Sequence, residues 1–333
     1  METIIITDVK LSLPSTRLCA AVVAVVLPLA TACSAGGGGG QSSATTSAIG
    51  ADAPSCPTQP VKVTVSVDQW GQIAAQLGGQ CATVTTVLAN SSVDPHDYEP
   101  SPADANEFTG AQLVVVNGDH YDEWATKLAA TSAPNAPVIS AADLSAPPTD
   151  GAAPNPHVWY SPTTIDAVAD AVTKELSTLS PDARDYFAER RTAFTSSMKP
   201  YTTLISDIKK AASGKAGPRT YAATEPVFDL MAQALGLTDK TPAGYRTASA
   251  NESDPAPADL SAFRDLLAAK GVDVLIFNTQ TEGSVPDDIR TAAEQAGVPV
   301  VNVTETVAPG AVSFEAWQVD QLTALAKALG VNN

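Results

Sequence analysis

Val61-Lys-Val-Thr-Val-Ser-Val67 alternates with a period of two, and the two segments after it decide how the chain folds. Gln69 to Leu77 carries helical spacing, and Thr83 to Leu88 is β-branched again. The three together read as a strand, helix and strand in series, which is the unit of a parallel sheet. Downstream, Leu113 to Val116 is a short buried strand and Tyr121 to Ala130 suits a helix. Ser161-Pro162 offers a helix cap followed by proline at the first helical position, opening a helix to about Leu179.

Pro181 then starts a charged, amphipathic stretch to about Ala212, interrupted at Pro200. It is too long for a tight turn and too amphipathic for a loop, so it reads as one helix bridging two halves. The alternation resumes with strand Arg219 to Ala223, helices from Pro226 and Pro257, strand Val274 to Phe277, a helix from Pro286, strand Val298 to Val303 and a last helix to Leu329. The expected fold is α/β, with two βα lobes of mainly parallel sheets. The N-terminal lobe is placed at 58–180, the linking helix at 181–214 and the C-terminal lobe at 215–333.

Composition agrees with such a body. The chain has 333 residues, 44% hydrophobic and 17% charged, which excludes a disordered, collagen-like or disulfide-dense chain. Its 36 acidic against 19 basic side chains give a net charge of -17, which disfavours nucleic acid and suits small cations.

Leu18 to Ala30 is apolar over about a dozen residues, enough for a signal segment but short of the roughly 20 needed to cross a bilayer. Lys10 and Arg17 precede it, and it ends at Leu29-Ala-Thr-Ala-Cys33, which resembles a bacterial lipobox. Residues 1–32 then form a lipoprotein signal peptide and Cys33 the lipidated first residue; the alternative is ordinary cleavage nearby with Cys33 incidental. Glu2 and Asp8 cancel the charge of the first ten residues, leaving open a translation start further along. Residues 33–57 are rich in Gly, Ser, Ala and Thr and read as a flexible tether, with a reach of about 25 Å. The body is expected outside the cytoplasmic membrane, anchored by lipid alone. There Cys56 and Cys81 can oxidise to a disulfide, the alternative being two unpaired buried thiols.

In open α/β sheets, ligands bind beyond the carboxyl ends of the strands. Those positions hold Asp94-Pro-His96-Asp-Tyr-Glu-Pro100, Asn117-Gly-Asp-His120-Tyr121, Thr224-Glu225-Pro226 and Asn278-Thr-Gln280-Thr-Glu282, and Asn155-Pro-His157-Val-Trp159 comes just before the helix at 162. All three histidines of the chain are among them. Two neutral imidazoles with one or two carboxylates suit Zn(II) or Mn(II). Asp94, Asp97 and Glu99 are placed to accept the second N–H of His96 and fix its tautomer.

These motifs, in this order and behind a lipobox, resemble the zinc and manganese solute-binding lipoproteins of ABC importers, the TroA-like or cluster A-I family. The resemblance covers about residues 60–330. It implies two lobes joined by one rigid helix, a metal ion in the cleft between them, and delivery of zinc or manganese to a membrane permease; the leading expectation is a monomeric receptor without catalysis. Carried over by motif, His96, His157 and Glu225 are metal ligands, while His120 matches a histidine that is not one. The family often has Asp or Glu two residues after the phenylalanine that ends the 274–277 strand, whereas Asn278-Thr-Gln280 stands here. That leaves Glu282, Gln280 or water for the fourth place. Residues 141–154 lack the histidine-rich loop of many zinc-selective members, which removes one argument for zinc without establishing manganese.

Two other functions compete. A secreted zinc-dependent hydrolase also needs three protein ligands and an open position, with Glu282 or Asp119 as base, but no H-E-x-x-H motif occurs. A metal-binding adhesin, or a binder of iron chelates, is the other; chelate binders line their clefts with arginines, and these loops carry none except Arg246 at their margin.

Overall fold

The computed structural model describes residues 55–331 apart from 90–92, 148–153, 215–218, 252 and 282. The signal peptide, Cys33, most of the tether and Glu282 therefore lie outside the described residues. In the first lobe, β1 (Val61–Val67) pairs in parallel with β2 (Ala82–Leu88) on one side and β3 (Leu113–Val116) on the other, and β4 (Val138–Ser140) follows β3. Helices α1 (Asp68–Gly78), α2 (Pro102–Glu107), α3 (Glu123–Ser132) and α4 (Pro162–Leu179) belong to this half. Ser161 caps α4 by accepting the Thr164 N–H, with Pro162 at its first turn.

The second sheet repeats the plan with β5 (Thr220–Ala223), β6 (Thr238–Asp239), β7 (Val274–Asn278) and β8 (Val300–Val303), all parallel. Strand orders are β2-β1-β3-β4 and β6-β5-β7-β8. Each sheet thus changes winding direction beside its first strand, and the ligand position of such a sheet is the crevice at that switch. β4 and β6, only three and two residues long, went unread because a period of two needs more length to show.

The stretch expected as one bridging helix is a short 3-10 turn and two helices, α5 (Arg184–Ser197) and α6 (Lys199–Ala212), parted at Met198. Pro200 has no N–H to give the Ser196 carbonyl, so the ladder breaks there. The break has a use: α5 packs on α1 and α4 of the first lobe, and α6 packs on α7 (Asp229–Leu235) and α11 (Phe314–Ala328) of the second.

The remaining helices are α8 (Ala243–Ala250), α9 (Pro257–Ala268) and α10 (Ser284–Ala296). β7 is buried on both faces, as parallel strands under helices are. Leu275 packs with Phe263 and Ile289 outside, while Val274 and Ile276 join a core that continues into the first lobe. Tyr160 is central to that continuity. Its ring lies 5.2 Å from Phe228 and 6.0 Å from Trp317, and its hydroxyl is 2.8 Å from both the Thr304 carbonyl and Gln321 Oε1. A disulfide joins Cys56 to Cys81 across a 25-residue separation, pinning the start of the body to the entry of β2. No helix among the described residues is long and apolar enough to cross a membrane.

Candidate metal centre

Loops at the carboxyl ends of both sheets converge on one point. His96 lies after β2, where Asp94 Oδ1 accepts its backbone N–H at 2.8 Å and the Pro95 carbonyl accepts Trp124 Nε1–H at 3.2 Å. Asp94 thus fixes the loop through the main chain, and none of the three carboxylates expected at the ring of His96 takes that role in a hydrogen bond. Its orientation comes from Tyr121, whose ring meets the imidazole edge-on at 4.7 Å. Tyr121 is itself buried against Trp159, with ring centroids 4.8 Å apart.

His157 is 7% exposed and doubly fixed. Asn155 Oδ1 accepts both its backbone N–H, at 2.9 Å, and its Nδ1–H, at 2.8 Å. An amide oxygen only accepts, so Nδ1 carries the proton and Nε2 keeps its lone pair for an ion. Asn155 Nδ2 donates to the Pro226 carbonyl at 2.8 Å, which ties this loop to the opposite lobe beside Glu225. The loop is also held by Asn117, which donates to the Pro156 carbonyl at 2.8 Å while accepting Trp70 Nε1–H at 3.0 Å. Asn117 is set in turn by Asp122, whose carboxylate takes the N–H groups of Asn117 and Gly118 at 2.7 and 2.8 Å. The Asn117 to Tyr121 motif therefore supports the site, and its histidine does not enter it. His120 is on the surface, 84% exposed, paired with Glu123 at 2.6 Å.

The carboxylate that meets the imidazoles is Glu305, two residues beyond β8. Donor atoms of His96, His157 and Glu305 all lie within 4.8 Å of one another, and Glu305 Oε1 is 3.7 Å from His157 Nε2. Sequence reading missed this residue. Burial pushes its carboxyl up, but His157 and His96 more than offset that and hold it below the usual carboxylate range.

Its main chain is clamped from both lobes. Gln69 Nε2 donates to the Glu305 carbonyl at 2.7 Å from the first lobe. Gln280 Oε1 accepts the N–H groups of Glu305 and Thr306 at 2.6 and 3.0 Å from the second. Gln280, one of the candidates above for the fourth place, uses its amide oxygen to seat the Glu305 loop.

Glu225 stands beside the trio. Its Oε2 accepts Asn278 Nδ2–H at 2.6 Å, and burial raises its carboxyl above the ordinary value despite that bond. Asn278, at the position where an acidic ligand was sought, connects the two carboxylates by donating to Glu305 Oε1 as well, at 3.2 Å. A cleft of about 1170 Å³ opens onto these groups, lined in part by Asp94, Asp97, Glu225, Asn278 and Glu305. Such acidic walls concentrate cations and repel anions. The two imidazoles and the Glu305 carboxylate, brought from two lobes, are of the kind that suits a divalent transition-metal ion, with Glu225 beside them.

Residues 63–328 match the family described as ZnuA, zinc-uptake complex component A, periplasmic. The high-affinity zinc uptake system protein ZnuA of Bacillus subtilis is 23% identical over 240 residues, 66% of this chain and 71% of that protein. The manganese-binding lipoprotein MntA of Halalkalibacterium halodurans is 21% identical over 255 residues, 75% of this chain and 80% of that one. Among solved structures, the solute-binding protein FpvC of Pseudomonas aeruginosa in complex with Mn2+ superposes with a TM-score of 0.66 at 20% identity, covering 82% of this chain and 99% of its own. The Mn-bound periplasmic metal-binding protein of Candidatus Liberibacter asiaticus gives 0.66 at 18% identity, with 81% and 99% covered.

Proposed function

This chain belongs to the ZnuA family of periplasmic zinc-uptake components, and from that premise we propose that it is the extracytoplasmic receptor of an ABC importer for zinc or manganese. It captures the ion as cargo and hands it to a membrane permease, without turnover of any substrate. The observation that carries this reading is the convergence of His96, His157 and Glu305 within 4.8 Å across the two lobes. Glu225 is the fourth protein donor, held one hydrogen bond away by Asn278.

Capture replaces the water shell of the ion by these four side chains. The imidazoles come from the first lobe and the carboxylates from the second, so a modest separation of the lobes divides the donor set and frees the ion. The shared core around Tyr160 opposes a wide swing, which points to small shifts of the Glu305 loop as the release step. Attachment by lipid at Cys33 is supported by the lipobox-like Leu29 to Cys33 and the glycine-rich run after it.

Titration of the metal-free protein with zinc and with manganese tests the reading. One ion per chain is expected, with a rise in melting temperature at saturation, because binding to the native state alone stabilises it. Glu305→Gln keeps the shape of the side chain and removes its charge. Since loss of a mere partner of a ligand costs 10–100-fold in affinity, at least tenfold weakening is expected from loss of the ligand's charge. No binding by the parent protein, or full affinity in the variant, overturns the assignment.

A further inference from the structure

Three neighbouring strands of the second sheet end in a row of polar side chains: Glu225 beyond β5, Asn278 closing β7 and Glu305 beyond β8. The middle one is not an acid. Asn278 is 2% exposed, and its single NH2 group donates to Glu225 Oε2 at 2.6 Å and to Glu305 Oε1 at 3.2 Å. The amide is oriented without ambiguity. Its Oδ1 accepts the Gln280 N–H at 3.1 Å, and the reverse orientation would face an oxygen toward two carboxylates. The backbone is held as well, with the Asn278 N–H on Thr224 Oγ1 at 3.3 Å.

This bridge limits what the carboxylates can offer. The shared amide fixes the rotation of both carboxylates: Glu305 Oε1, which faces His157 Nε2 at 3.7 Å, also accepts from Asn278 and turns its remaining lone pair to an ion, while swinging both oxygens of either carboxylate onto one ion costs its bond to the buried amide. An ion between the lobes then meets one oxygen from each carboxylate and one nitrogen from each imidazole. Four such donors match the tetrahedral preference of zinc, whereas manganese favours six-coordination richer in oxygen.

We propose that Asn278 is a specificity-determining residue that keeps Glu225 and Glu305 as single-oxygen donors and so favours zinc over manganese. The inference rests on the receptor reading above. Asn278 touches no ion; it acts through the two side chains it bridges.

Competition titrations on the full-length protein measure zinc and manganese affinities for the parent chain, Asn278→Asp and Asn278→Ala. The Asp variant replaces the donor by an acceptor, releases both carboxylates and adds an oxygen. Its manganese-to-zinc ratio of dissociation constants is expected to fall at least tenfold, and that of the Ala variant in the same direction by less. A merely structural role weakens both ions by one factor and leaves the ratio unmoved, which overturns the inference. Cobalt(II) loaded into the parent protein adds a readout that needs no variant to fold: intense four-coordinate absorption bands are expected, and a weak six-coordinate spectrum overturns the inference on its own. A parent chain that binds neither zinc nor manganese instead overturns the receptor reading beneath it; measurable binding with an unchanged ratio overturns only the role of Asn278.

Discussion

Asp68 offers a test of how the Glu305 loop is held. It opens α1 at the carboxyl end of β1, and its Oδ1 accepts the Val307 N–H at 3.3 Å across the lobe boundary. Burial raises its carboxyl from 3.8 to about 7, with the N–H groups of Val307 and Gln69 only partly opposing. In the unfolded chain the group ionises near its ordinary value, so between about pH 4 and 7 the folded state keeps a proton that the unfolded state has lost. Stability associated with this residue is therefore full below pH 4 and lost as pH rises through 7. A gap of about three pH units corresponds to about 4 kcal/mol. Asp68→Asn keeps the acceptor for Val307 and removes the ionisation.

Urea denaturation of the metal-free proteins at pH 5 and pH 7.5 should show the variant gaining on the parent by up to that amount at the higher pH, with a clearly smaller advantage at the lower. Asp122, Glu225 and Asp229 are also raised by burial and give the parent further slope of the same sign. The difference between parent and variant isolates Asp68. A variant that is less stable at pH 7.5, or whose advantage does not change with pH, refutes the reasoning.

Asn155→Ala should lower metal affinity about 10–100-fold, because His157 loses the acceptor that fixes its tautomer; calorimetric titration checks this, and an unchanged far-ultraviolet spectrum separates it from unfolding. Replacing both Cys56 and Cys81 by serine should reduce stability by about 3.5 kcal/mol, given the 25-residue loop that the disulfide closes. Urea curves of parent and variant, with the parent also measured under reductant, should agree on that loss.

The two imidazoles were legible in the sequence because their marks are local. His96 and His157 each follow a proline in a short polar loop just past a strand or just before a capped helix. Glu225 has a different mark, lying just past β5 and before Pro226, and the structure sets it beside the converging donors. Glu305 lies in Val303-Thr-Glu305-Thr-Val307, where nothing nearby sets it apart from a surface glutamate. Its place is created by pairing: Asn278 lies opposite Val303, so the two residues beyond β8 extend over the end of β7. The available signal was topological. The rule that directed attention to the ends of the strands preceding Glu225 and Asn278 applies equally to the last strand of the sheet, and its first acidic residue is Glu305.

The same distinction separates helices that were readable from those that were not. α4 announces itself by Ser161 and Pro162 and keeps one apolar face through Ile165, Val168, Val172 and Leu176. The bridging stretch has one too, yet Pro200 divides it, and each part takes its partner from a different lobe. A proline that costs a helix one hydrogen bond also releases its two halves to follow different neighbours. At this junction the division serves the site, since α5 anchors to the lobe that carries the imidazoles and α6 to the lobe that carries the carboxylates. A substitution restoring the missing N–H at position 200 lets the two helices join across Met198, and the expected outcome is weaker metal binding in calorimetric titration with the urea stability of the body unchanged.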